Sequence, residues 1–298
     1  MNELCVADLF CGPGGMSIGF NEFFDVTFAV DWKSDPCETY RHNLSGVVKQ
    51  QDIRNITGCQ RDFDGIMGVI AGPPCKPFSK VNTRKKANDP RKTLWVDFMR
   101  IVEEVKPVFF LLENVPTIFV EIKKAILRTA KALGYIVSEA ILDASNFGVA
   151  QKRRRWIVVG SRKPFAFPNG QSGPKTVKAA FNRIQENKGF GNVRPETIER
   201  FSKVPVGKWI AISKGRFCNA IRLPWNQPSP TVVNITKVYM IHPFENRIIS
   251  ETEAAVLQDF PSDYWFAGSR TSRAQQIADA APASLMKAIA GQLQATQF

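Results

Sequence analysis

Histidine, closely paired cysteines and long apolar runs are what this chain lacks. Its 298 residues hold two histidines, His42 and His242, which excludes a His-rich metal centre. The six cysteines (Cys5, Cys11, Cys37, Cys59, Cys75, Cys218) form no Cys-x-x-Cys pair. A zinc ribbon or a thioredoxin-type motif is therefore excluded, and no metal is expected. No apolar run approaches the roughly 18–20 residues of a membrane helix. The segment 1–10 carries Glu3 and Asp8 and no basic region, so it is not a secretory signal. These absences predict a cytosolic protein with reduced thiols and no disulfides. There is neither an internal repeat nor a low-complexity tract, and 44% hydrophobic with 22% charged residues excludes a disordered chain.

What is present is positive charge. Forty Lys and Arg against 27 Asp and Glu leave a net charge of +13, which points to a polyanion, nucleic acid before an acidic membrane. The length predicts two domains. Over the first 160 residues, apolar runs alternate with helical patterns. Strands are expected at 4–10, 26–30, 65–71, 108–112, 135–142 and 156–160. Helices are expected from the glycine cluster to residue 24, over 93–105 before Pro107, and over 118–133 before Gly134. Continuous apolar strands separated by helices predict a mostly parallel sheet covered on both faces. From about Lys163 prolines and glycines crowd together, short β-like pieces stand at 231–233 and 238–241, and a smaller irregular domain is expected. An Ala-rich helical tail runs over 274–294, with Pro282 near its middle.

Four motifs stand at strand ends. Phe10-Cys11-Gly12-Pro13-Gly14-Gly15 closes the first strand and opens a helix. Glycines there let the backbone approach a nucleotide-like ligand, or simply make a tight turn. The spacing is not the dinucleotide fingerprint. Asp31, ending the second strand, can accept hydrogen bonds from a ribose. Gly72-Pro73-Pro74-Cys75 holds a thiol at the carboxyl edge of the sheet beside Lys76 and Lys80; the cysteine is either an inert buried thiol or a nucleophile whose cations favour the thiolate. Glu113-Asn114-Val115 puts a carboxyl on the same edge, suited to acid catalysis or to holding the polar edge of a base. Gln151-Lys152-Arg153-Arg154-Arg155 enters the last strand, where alternation lets Arg153 and Arg155 point together; a solvated basic strand is the alternative. Lys80 to Lys92, with Arg84, Lys85, Lys86 and Arg91, suits a phosphate-contacting loop or a plain surface loop.

In this order and spacing, the four motifs strongly resemble the cytosine-C5 DNA methyltransferase family. The resemblance continues through Asn246-Arg247 to Glu253 and Leu257-Gln258-Asp259-Phe260-Pro261, and spans almost the whole chain except about 165–225. Trp225 to Val232 resembles the family's target-recognition segment. The resemblance implies an α/β, Rossmann-like S-adenosylmethionine-dependent methyltransferase sheet with a smaller, irregular, β-rich recognition domain. Residues 1–163 plus 269–298 would form the catalytic and cofactor-binding domain, and 164–268 the recognition domain and hinge.

S-adenosylmethionine would lie on Phe10, Gly12, Gly14 and Gly15, with Asp31 on the ribose, Trp32 on the adenine, Asp52 and Ile53 at the amino edge, and Leu94 and Asp279 lining the site. Cys75 would add to C6 of cytosine, Glu113 would hold N3 and the amino group, Arg155 would contact O2, and Arg153 would lie nearer a phosphate. Nucleic-acid contacts are implied at Lys76, Ser79, Lys80, Arg84, Lys85, Arg91, Gln151 and Thr231. Lys76 stands in place of the family's usual glutamine, Val256 in place of arginine, and Ala278-Asp279 in place of Gly-Asn, beside the cofactor. The expected partner is double-stranded DNA, reached by a monomeric, nucleoid-associated bacterial enzyme of restriction-modification or orphan type, with no direct contact to a restriction endonuclease. An RNA cytosine-5 methyltransferase and a non-catalytic DNA-binding relative are the alternatives.

Overall fold

A computed structural model of the protein describes residues 4–57, 61–74, 89–170, 173–212 and 219–298. The chain divides into two compact units. The first holds the described residues up to Leu142, with Arg154–Asn169 and Met286–Phe298; the second holds Asp143–Arg153 and Gly170–Leu285.

The first unit is built from β1 (Cys5–Leu9), α1 (Gly15–Phe20), β2 (Asp25–Asp31), α2 (Ser34–Asn43), β3 (Val47–Gln50), β4 (Gly68–Ala71), α3 (Leu94–Val105), β5 (Phe109–Asn114), α4 (Val120–Ala132), β6 (Ile136–Asp143) and β7 (Arg154–Ser161). The seven strands form one sheet in the order β3-β2-β1-β4-β5-β7-β6. Neighbours from β3 to β5 run parallel, and β7 runs antiparallel to β5. Strands β4 and β5 are buried along their whole length, as sheets covered on both faces require. Phe98, Ile101 and Val102 of α3 share that core with Phe110 and Leu112, and α3 ends at Lys106 in the left-handed region before Pro107. A Cβ at Gly160 would stand 2.1 Å from the Phe110 ring. Because Phe110 and Gly160 face each other across β5 and β7, glycine there makes room for the ring.

Some boundaries differ from expectation for local reasons. The helix after the glycine cluster stops at Phe20, where the Phe23 and Phe24 amides both turn back to the Phe20 carbonyl. The third expected strand starts at Gly68, since Gly65 takes a positive φ of 77°. The Ala-rich tail is two helices, α8 (Arg270–Asp279) and α9 (Ala283–Gln297), separated around Pro282, which cannot donate to a helix interior.

The second unit also holds α5 (Val177–Phe181), α6 (Pro195–Phe201), α7 (Glu251–Leu257) and a small sheet ordered β10-β9-β8, formed by β8 (Ile210–Ala211), β9 (Asn219–Arg222) and β10 (Tyr239–Ile241). The stretch 231–233 is not a strand. Its polar groups bond singly instead: Val232 N–H donates to Gln151 Oε1 at 2.8 Å, and Thr231 Oγ1 donates to the Lys152 carbonyl at 2.8 Å. Arg222 organises this unit. Its guanidinium, 8% exposed, donates to the Phe201, His242 and Glu245 carbonyls and to Asn246 Oδ1. Among the described residues no helix is long and apolar enough to cross a membrane.

Candidate active site

The sheet order places two of the motifs side by side. From β1 the chain winds outward to β2 and β3, then returns across β1 to β4. The carboxyl ends of β1 and β4 are therefore the switch point where open α/β sheets bind ligands. Leu9 pairs with Ala71, so the glycine turn and Gly72-Pro73-Pro74 leave the sheet next to each other.

The turn itself is left-handed at Phe10 (φ 61°), Gly12 (55°) and Gly14 (92°), and Gly14 caps α1. Gly12 donates to Asp31 Oδ2 at 3.2 Å, and Lys33 N–H donates to Asp31 Oδ1 at 2.9 Å. A side chain at Gly12 would meet no atom within 4 Å, so the backbone is open to a ligand. A cavity of about 460 Å³ lies here, lined by Phe10, Val30, Asp31, Trp32, Gln51, Asp52, Ile53, Arg54, Pro74, Asp89, Arg91 and Leu94. It gathers six of the residues expected to hold a cofactor, and Pro74 besides. Trp32 is 59% exposed and presents a flat indole. Asp52 accepts from the Arg54 guanidinium and amide, which hold its carboxyl below the usual range. Arg91, expected at nucleic acid, also lines this cavity and pairs with Asp89 at 2.6 Å. Gly15 is buried in the first turn of α1 and serves the turn rather than the cavity wall.

Beneath the turn lies a polar group that sequence reading missed. Asp8 on β1 is fully buried; its Oδ2 accepts from Ser17 Oγ at 2.6 Å, and Ser17 Oγ accepts from the Tyr40 hydroxyl at 2.9 Å. Burial pushes the Asp8 carboxyl up to about 7; the Ser17 hydrogen bond opposes the rise and Asp31 adds to it. Burial also raises Asp31, with the Lys33 and Gly12 amides opposing. The Cys11 and Cys37 thiols are raised by burial too, Cys37 to about 11. Both are poor nucleophiles, since the thiolate is the reactive form.

One strand further, β5 ends in Glu113 and Asn114. Glu113 pairs with Ile157 across β5 and β7, so Arg155, two residues before Ile157, is its diagonal neighbour on the same face. Arg155 Nε donates to Glu113 Oε1 at 2.6 Å, and both residues are 8% exposed. Asn114, 1% exposed, donates from Nδ2 to the Pro73 carbonyl at 3.2 Å, tying the end of β5 to the Pro-Pro turn. No motif reading singled out this bond. Cys75, Lys76, Ser79, Lys80, Arg84 and Lys85 lie outside the described residues.

Two expectations are corrected. Arg153 does not point with Arg155: β7 begins at Arg154, so strand alternation does not reach residue 153. Its guanidinium, 2% exposed, donates to the Ala278 and Ala280 carbonyls at 2.9 Å, so it is not presented to a phosphate. Gln151 is fully buried, donating to the Leu257 carbonyl and Gln258 Oε1 while accepting from Val232, and has no amide group left for nucleic acid. Both residues brace the second unit. Thr231 lies in the same unit, as does Asp279, which accepts from Gln275 Nε2 at 2.8 Å. Among the described residues no group of three or more His, Cys, Asp or Glu could hold a metal.

Known proteins are similar to this chain along nearly its whole length. The Type II methyltransferase M1.HphI of Haemophilus parahaemolyticus is 31% identical, over 97% of this chain and 86% of its own length. The Type II methyltransferase M.FnuDI of Fusobacterium nucleatum is 28% identical, over 97% and 93%. Among solved structures, an E. coli DNA modification methyltransferase encoded within a prophage superposes with a TM-score of 0.82 at 26% identity, covering 99% of both chains. Residues 4–295 match the C-5 cytosine-specific DNA methylase family, and with that match the chain belongs to this family of DNA (cytosine-5) methyltransferases.

Proposed function

We propose that this chain methylates C5 of a cytosine within a specific duplex DNA sequence, with Cys75 as nucleophile. The observation that supports it most is the joining of motifs at one sheet edge. Pro74, directly before Cys75, lines the cavity of Phe10, Asp31 and Trp32, while Asn114 of β5 holds Pro73 beside the Glu113–Arg155 pair. The cavity residues fit S-adenosylmethionine. Gly12 leaves open space over the turn, Trp32 offers a stacking face, and the Asp31 and Asp52 carboxylates suit hydroxyl and amino donors. When bound, that cofactor supplies the methyl group.

Cytosine C6 is shielded inside a stacked duplex, so the base must leave the stack, at a cost of a few kcal/mol. Glu113 takes the N3 and amino edge of the extruded base and Arg155 the O2, drawing electron density from the ring. The Cys75 thiolate adds to C6, which makes C5 a nucleophile. After methylation, loss of the C5 proton and expulsion of Cys75 restore the aromatic ring. Lys76, Ser79, Lys80, Arg84 and Lys85 are assigned to the DNA backbone. Target recognition is assigned to 164–268, most of which lies in the second unit. The enzyme is read as a monomer in the bacterial cytoplasm, of restriction-modification or orphan type, with no direct contact to a restriction endonuclease.

Duplex DNA carrying 5-fluorocytosine has no C5 proton to lose and should trap a covalent adduct. Mass spectrometry should locate it on Cys75, and Cys75→Ala should show neither adduct nor methyl transfer while retaining cofactor binding. Full activity in Cys75→Ala would sink this reading.

A further inference from the structure

Asp8 has no task in the mechanism above, and its setting is unusual for a carboxyl. It is fully buried, and its Oδ1 has no hydrogen-bond partner among the described residues. The ionisable groups acting on it or packed around it are acidic or neutral. Asp31 comes from β2, Cys11 from the turn, and Cys37 and Tyr40 from α2 behind Ser17. The paired strand β4 offers only Gly68–Ala71, with no ionisable side chain. Two cations act on these neighbours, Lys33 on Asp31 and Arg41 on Cys37, while burial, Ser17 and Asp31 set the state of Asp8 itself. No described residue forms an ion pair with Asp8. Yet Asp31, which acts on it directly, lines the cavity, and so does Phe10, two residues further along the chain at the turn that closes β1.

Resting on the cofactor reading, we propose that Asp8 sets the enzyme's preference for the cationic methyl donor over its neutral product, releasing its proton when a cation fills the cavity. S-adenosylmethionine carries a sulfonium, an ammonium and a carboxylate; its demethylated product keeps only the last two and has no net charge. A positive charge entering a poorly solvated site acts over a longer distance than in water. It favours the ionised form of a carboxyl that has no counter-charge of its own.

The sign follows from where the proton sits. Burial and Asp31 place Asp8 at about 7 in the free protein, so below neutral pH donor binding must expel a proton. Donor affinity therefore rises with pH between about 6 and 8, by up to about tenfold, and then levels off. The product brings no net charge, so its affinity stays flat.

Calorimetry on the full chain tests this, with S-adenosylmethionine and S-adenosylhomocysteine each titrated in two buffers of different ionisation enthalpy. Near pH ~6.5 the donor should release most of a proton and the product none. Asp8→Asn should abolish the release and flatten the donor-to-product ratio across pH. Equal release with both ligands, or undiminished release in Asp8→Asn, overturns the proposal while leaving the cofactor reading intact. Failure of both ligands to bind overturns the two together. Should Asp8→Asn misfold, infrared difference spectra of the unaltered protein serve instead. The protonated-carboxyl band must fall on donor binding and persist with product, and any other result counts against Asp8.

Discussion

The Glu113–Arg155 pair allows its structural energy to be separated from its chemical role. At 2.6 Å, and with the effective dielectric of ~20 that suits such sites, the gross attraction is about 6 kcal/mol. Withdrawing two ions from water costs several kcal/mol each, so the intact pair adds little net stability. Losing one partner is different, because it leaves a charge in a site that is 8% exposed. Glu113→Gln and Arg155→Met should each cost about 3–5 kcal/mol. The double variant Glu113→Gln/Arg155→Met removes both charges together and should lose less than either single change. Urea midpoints of the four proteins measure this directly. All three variants should lack methyl transfer, so activity cannot mask the comparison. If the two single losses simply add, the pair is not coupled, and the solvation reasoning is refuted.

Gly160→Ala should destabilise the first unit by about 3 kcal/mol, since a Cβ 2.1 Å from the buried Phe110 ring has nowhere to go; Gly173→Ala, open to solvent, is the control and should leave the urea midpoint in place. Arg222→Met strands the Phe201, His242 and Glu245 carbonyls, each worth about 1–3 kcal/mol when buried and unsatisfied. Proteolysis should then cut within 170–285, and DNA binding should fall while calorimetric affinity for S-adenosylmethionine holds. Loss of cofactor affinity in that variant would show that Arg222 supports both units.

Apolar periodicity and strand-end motifs were enough to read most elements of the first unit and the family. Periodicity records how each strand and helix is buried, and the motifs stand where strands must end. The glycine turn and Asp31 were legible for the same reason, since turn chemistry and strand termini are local, whereas Trp32 and Leu94 were implied only by the family resemblance. What lay beyond reach was pairing between distant segments. Nothing local says that β4 returns to β1, although that crossing sets the Pro-Pro turn against the glycine turn. Alternation predicted Arg153 beside Arg155, but the strand starts one residue too late, and Arg153 bonds to carbonyls 125 and 127 residues away. Gln151 was implied as a nucleic-acid contact by the family resemblance, yet packing encloses it against Gln258. Asp8 reads as one acid in a short strand. Only the folded chain brings Ser17, Tyr40 and Asp31 around it and removes its water, and that desolvation, a property of the three-dimensional surroundings, makes it a group that titrates near neutrality.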